Sequence, residues 1–108
     1  MDWSYIAGFF DGEGGIYPLH KHLADKYWRV IIVQKNRLVL DKIKEFVGYG
    51  RVYFSKGNSM CSYEVYRQRE VLDFITKISP YIMVRRKQLD CFLKHPWHQQ
   101  REANKNLI

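Results

Sequence analysis

The chain has 108 residues, 46% of them hydrophobic and 16% aromatic, and its 18 Lys and Arg against 11 Asp and Glu leave a formal charge of +7. That apolar content excludes a disordered chain, and the length suits one domain with a modest core. No apolar stretch approaches the roughly 18 residues of a membrane span, and no basic segment precedes the first apolar run, so neither a membrane anchor nor a secretory signal is expected.

The first predicted element is a helix opening near Trp3 and carrying Tyr5-Ile6-Ala7-Gly8-Phe9-Phe10-Asp11-Gly12-Glu13-Gly14. Gly8 and Gly12 fall on one helical face, where missing side chains let another backbone approach closely. The helix should stop at Gly12 or Gly14, leaving Glu13 at its C-terminal tip. The macrodipole there is already negative, so a carboxylate beside helix-end carbonyls suits a hard divalent cation such as Mg²⁺. The plainer alternative is an apolar helix closed by a Gly-rich turn, with Glu13 merely exposed.

A hairpin comes next, with strands over 15–23 and 27–35 and a turn at Ala24-Asp25-Lys26; Pro18 marks a strand edge or a bulge. Asn36 caps a second helix, in which Val39, Leu40, Ile43, Phe46 and Val47 recur at helical spacing until Gly48 stops it. A second hairpin joins 50–55 to 60–66 across Lys56-Gly57-Asn58. The spacing predicts a helix over 70–78, with Val71, Leu72, Ile75 and Ile78 on one stripe, broken at Ser79-Pro80. A last helix runs over about 84–95 and ends before Pro96.

A repeated hairpin–helix unit predicts an α+β fold, a four-stranded antiparallel sheet with helices on one face and the other face free. The domain spans 1–96, and the tail 97–108 is a short helix or a frayed end. Alternation in the second hairpin turns Val52, Phe54, Tyr63 and Val65 toward the helices and Arg51, Tyr53, Ser55, Ser62, Glu64 and Tyr66 outward.

Basic residues interleaved with eight Tyr and three Trp point to a nucleic acid partner, although solvated lysines alone can produce such a charge. Cys61 and Cys91 make no CxxC pattern, and neither they nor His20, His22, His95 and His98 complete a zinc spacing. They read as reduced thiols and polar side chains of an intracellular protein.

The run from Ile6 to Gly14 resembles the LAGLIDADG motif of homing endonucleases, with both glycines and the acid in register. The element order is similar to the αββαββα domain of that family from Trp3 to about His95. The resemblance implies a DNA-binding saddle on the free sheet face. It places Tyr17, Leu19, Lys21, Tyr27, Arg29 and Ile31 outward in the first hairpin, with Trp28, Val30 and Ile32 inward. A two-stranded ribbon fits the major groove, where Arg29 and Arg51 are the candidates for guanine contacts and Lys21 and Lys56 for phosphate.

The resemblance also implies site roles. Glu13 stands where the family usually has Asp and is the metal ligand, for Mg²⁺ or another divalent ion such as Mn²⁺. Gln34 matches the position that orients water near the scissile phosphate, and Arg85 the basic position usually held by Lys. Arg85 stays protonated, so Lys87 is the better proton carrier. Arg37 belongs at the edge of the site or on the DNA backbone. With one motif per chain, two copies must pack through Ala7, Gly8, Asp11 and Gly12 to bring two Glu13 carboxylates together, which predicts a homodimer and a near-palindromic double-stranded DNA target. Asp11 is expected to anchor the helix end rather than bind metal. The rival readings are an inactive DNA- or RNA-binding protein of the same fold, a regulator or an intron maturase, and half of a two-motif enzyme.

Overall fold

The computed structural model describes residues 1–18 and 27–94. Its elements run α1 (Trp3–Glu13), β1 (Gly14–Pro18), β2 (Trp28–Gln34), α2 (Arg37–Val47), β3 (Arg51–Ser55), β4 (Met60–Val65), α3 (Gln68–Ile78), a 3₁₀ turn (Ser79–Tyr81) and α4 (Arg86–Leu93). The expected α+β order is present. Asn36 caps α2 as predicted, its side chain accepting the Leu38 N–H at 3.0 Å, and Gly48 ends that helix at a φ of 90°, where a Cβ would be strained. Asp2 caps α1 by accepting the Tyr5 N–H at 2.8 Å.

The four strands form one antiparallel sheet in the order β1-β2-β4-β3. Strand β1 is therefore an edge, in keeping with Pro18 at its end. Cross-strand pairs put Ile16, Val30, Ile32, Cys61, Tyr63 and Val65 on one face, all buried. Onto them pack Ile6 and Phe10 of α1, Leu40 and Ile43 of α2, Val71, Phe74, Ile75 and Ile78 of α3, and Leu89 and Phe92 of α4. Phe74, absent from the predicted stripe, is a hub: its ring lies 5.6 Å from Trp3, 6.2 Å from Phe10 and 6.2 Å from Tyr63.

Helix α1 ends at Gly14, one of the two predicted stops, with the glycine in extended backbone (φ −112°). Its glycine is needed for space, because a Cβ would sit 2.6 Å from the Phe10 ring and 3.2 Å from the Ile31 carbonyl. Two expectations change. Phe54, on the edge strand β3, is 54% exposed instead of covered by helices. Ala7, expected at a dimer interface, has no accessible surface and belongs to the core.

Candidate functional site: a nuclease-like motif and a basic sheet face

The end of α1 and the end of β2 meet because of sheet register. Gly14 pairs with Ile32, so Glu13 and Gly12 lie beside the last residues of β2, where alternation turns Gln34 to the helix side. An open groove results, lined by Ser4, Tyr5, Gly8, Phe9, Gly12, Glu13 and Gln34. Glu13 is exposed at the helix tip. Gln34 Oε1 accepts the Lys35 N–H at 2.8 Å, which orients the amide and turns its NH₂ away from that bond. Among the described residues, nothing beyond the helix's own backbone lies within 4 Å of a Cβ built on Gly8 or Gly12, so none of them demands glycine at either position.

Asp11 has a defined task. Its carboxylate accepts the backbone N–H groups of Met83 and Val84, each at 2.9 Å, and of Arg85 at 2.7 Å. This ties α1 to the segment that opens α4, more than 70 residues downstream. Burial pushes the carboxyl pKa up, but the three N–H donors and the Arg85 charge outweigh it and hold the group below its usual value. Arg85 is thus pinned to the motif helix through its backbone, while its buried Nε has no hydrogen-bond partner among the described residues. Lys87 is exposed on α4. Arg37 is exposed at the start of α2 and pairs loosely with Asp41 at 3.6 Å.

The other face of the sheet carries Tyr17, Arg29, Ile31, Arg51, Tyr53, Ser55, Ser62 and Glu64, read off the pairs Tyr17↔Arg29, Ile31↔Glu64, Arg51↔Glu64 and Tyr53↔Ser62 and the alternation within β3. Two of these depart from the expectation of exposed contact residues. Ser62 is buried between larger neighbours on the central strand, and Glu64 is only 2% exposed. Glu64 Oε2 accepts from Arg29 Nη1 at 3.1 Å, and Oε1 accepts from Arg51 Nε at 2.8 Å, with Arg51 Nη2 2.6 Å away. That hydrogen bond and charge hold the Arg51 guanidinium above its ordinary pKa. Arg51 also lies over the rings of Tyr53, at 5.0 Å, and Tyr66, at 5.5 Å. Tyr17, Tyr27 and Tyr66 are exposed; Leu19 and Lys21 lie outside the described residues, as do His20 and His22.

Two glutamines escaped the sequence reading. Gln88 of α4 pairs with both backbone groups of Ile16, accepting the N–H at 3.3 Å and donating to the C=O at 3.1 Å. Gln68 of α3 does the same for Trp28, at 2.9 and 2.8 Å. Each amide mimics a strand neighbour, and no local pattern announces it.

No group of three or more His, Cys, Asp and Glu able to hold a metal occurs among the described residues. Glu13 is the carboxylate lining the groove, an oxygen donor of the kind a hard cation prefers. No helix among the described residues is long and apolar enough to cross a membrane.

The chain is 28% identical over 98 residues to DNA endonuclease I-CreI of Chlamydomonas reinhardtii, a match covering 83% of this chain and 59% of that protein. It spans, in other words, little more than half of that relative's length. Among solved structures, the archaeal intron-encoded homing endonuclease I-Vdi141I, complexed with DNA, superposes with a TM-score of 0.67 at 27% identity, over 85% of this chain and 64% of that one. The homing endonuclease I-CvuI, in complex with the I-CreI target, gives 0.71 at 20% identity, over 85% and 63%. The family profile for LAGLIDADG endonucleases matches residues 6–96, from the glycine-bearing helix through both hairpins to the end of α4, and the chain belongs to that family.

Proposed function

We propose that this chain is a sequence-specific DNA endonuclease that, as a homodimer with divalent metal, makes a double-strand break at a long, near-palindromic site. The observation that carries the reading is the α1 groove. An exposed glycine stripe, which no neighbour among the described residues requires, leads directly to Glu13 and Gln34. Helix-to-helix packing through that stripe about a two-fold axis brings two Glu13 carboxylates to one place and doubles the site, one copy for each DNA strand.

Glu13 of each protomer would hold a hard cation such as Mg²⁺ or Mn²⁺, a carboxylate being the oxygen donor such ions prefer. When bound, such an ion supplies charge stabilisation at the phosphate, an activated water and help for the leaving oxygen. The chain's own groups do the rest. Gln34, which lines the groove and whose Oε1 accepts the Lys35 N–H, would orient the attacking water. Arg85, pinned by Asp11, offers permanent positive charge to the phosphate, and the exposed Lys87 ammonium is the group able to shuttle a proton. The sheet face with Arg29, Arg51, Tyr17, Tyr53 and Tyr66 docks in the major groove. Arg37 contacts backbone phosphate.

Selection of bound and cut sites from a randomised duplex library, with Mg²⁺ or Ca²⁺ and beside Glu13→Gln, tests the reading. Cleavage at a near-palindromic site with Mg²⁺, abolished in the variant while binding persists, is the expected result. Enrichment of a bound site without cleavage under any metal supports a DNA-binding regulator instead. No enrichment at all points to RNA or to a missing partner half.

A further inference from the structure

Glu64 is an odd residue for a DNA-facing sheet: a carboxylate repels phosphate, and this one sits at the centre of that face. Its surroundings resolve the oddity. It is 2% exposed, on strand β4 with β2 and β3 on either side, and its two oxygens are divided between Arg29 of β2 and Arg51 of β3. We propose that Glu64 is a positioning residue for base readout, which aims the guanidinium groups of Arg29 and Arg51 at guanine edges and itself touches no base. The inference rests on the DNA-binding reading of this face and adds a specificity mechanism to it.

The orientation of Arg51 is the main argument. Glu64 Oε1 engages it side-on, through Nε at 2.8 Å and Nη2 at 2.6 Å. A guanidinium held by that edge keeps its end-on fork, one N–H each of Nη1 and Nη2, pointing away. That fork is the donor pair that matches guanine O6 and N7 in the major groove. The side chain is 61% exposed, so the fork is accessible, while the Tyr53 and Tyr66 rings restrict its swing. Arg29 is held by the same carboxylate at Nη1, 3.1 Å from Oε2, and its side chain is 36% exposed, so part of its guanidinium stays accessible.

Charge points the same way. Two guanidinium groups and one carboxylate leave a single net positive charge. Such a cluster gives little indiscriminate phosphate attraction while presenting fixed donors to a base. Replacing Glu64 by Gln raises the formal charge of +7 by one and frees both arginines to reach phosphates. The inference therefore predicts tighter but less selective binding, an outcome that simple structural damage does not produce.

The test is selection from a randomised duplex library in Ca²⁺ with the full chain, its Glu64→Gln variant and its Arg51→Lys variant. Binding to an unrelated duplex is then measured against salt. Arg51→Lys is expected to weaken guanine preference roughly tenfold at one base pair in each half-site. Glu64→Gln is expected to flatten that same base pair, to bind unrelated duplex more tightly and to steepen the salt dependence. An unchanged base preference in folded Glu64→Gln overturns the proposal, as does a loss spread evenly along the site. If Glu64→Gln does not fold, Glu64→Asp, which keeps the charge and shortens the reach, decides: a weakened preference at the base pair that Arg51→Lys affects supports the clamp, and an unchanged preference there overturns it. A wild-type chain that selects no site overturns the DNA-binding reading and this inference with it, whereas a selected site insensitive to Glu64 overturns this inference alone.

Discussion

Asp11 and Glu13 stand two residues apart on one helix and do different work because their neighbours differ. Glu13 points to solvent at the helix tip; Asp11 receives three backbone N–H groups from the segment before α4. Asp11→Ala leaves those donors without their acceptor at the start of a helix, and a loss of about 2 kcal/mol is expected, of the order of a strong N-cap. Urea unfolding measures it, and cleavage should fall further than stability accounts for, since Arg85 loses its anchor. The pH dependence follows in sign from the lowered pKa of Asp11. A depressed carboxylate contributes stability in full above its ordinary value of 3.8, and that contribution disappears as pH falls through the lower folded value. Asp11→Asn should therefore be less stable than wild type near neutrality and converge with it in strong acid.

At the scale of elements, the sheet is closed off by side chains where backbone partners run out. Strand β1 is an edge, and Gln88 occupies the outward N–H and C=O of Ile16 much as another strand would. Gln88→Leu keeps a similar volume but removes both bonds, leaving a partly buried donor and acceptor unpaired. The expected cost is about 1–3 kcal/mol, read by thermal unfolding, with faster hydrogen exchange of the Ile16 amide than in wild type. An unchanged exchange rate there would mean that the amide pair contributes nothing to β1. The same substitution also bares an edge able to pair with another chain, so a rise in aggregation is expected alongside.

At the scale of the whole molecule, Gly8 and Gly12 are where the needs of the protomer and those of the proposed dimer can be told apart. Each lies within a helix, where glycine costs about 1 kcal/mol relative to alanine, and each has open space where a Cβ would go. Gly8→Ala is expected to stabilise the isolated protomer by roughly 0.5–1 kcal/mol while weakening the dimer at least tenfold. Sedimentation and chemical unfolding on the same samples report both. A dimer of unaltered affinity would place the interface elsewhere.

The sequence by itself determined the properties that depend on near neighbours along the chain. The motif from Ile6 to Gly14, the period of each helix, the alternation of each strand and the Asn36 and Gly48 caps are local, because backbone hydrogen bonding and side-chain periodicity act over a few residues. These sufficed for the α+β order, the family and Glu13 at the helix tip. Only the tertiary structure decided who meets whom across the chain. Alternation put Arg29, Arg51 and Glu64 on one face, but only the strand order β1-β2-β4-β3 made the glutamate the shared partner of both arginines. The same holds for Ala7, which motif position assigned to an interface and core packing claimed, and for Asp11, whose donors lie more than 70 residues away. A buried charge takes whatever partner the fold brings within about 3 Å, and that distance is a property of the packed chain rather than of any segment of it.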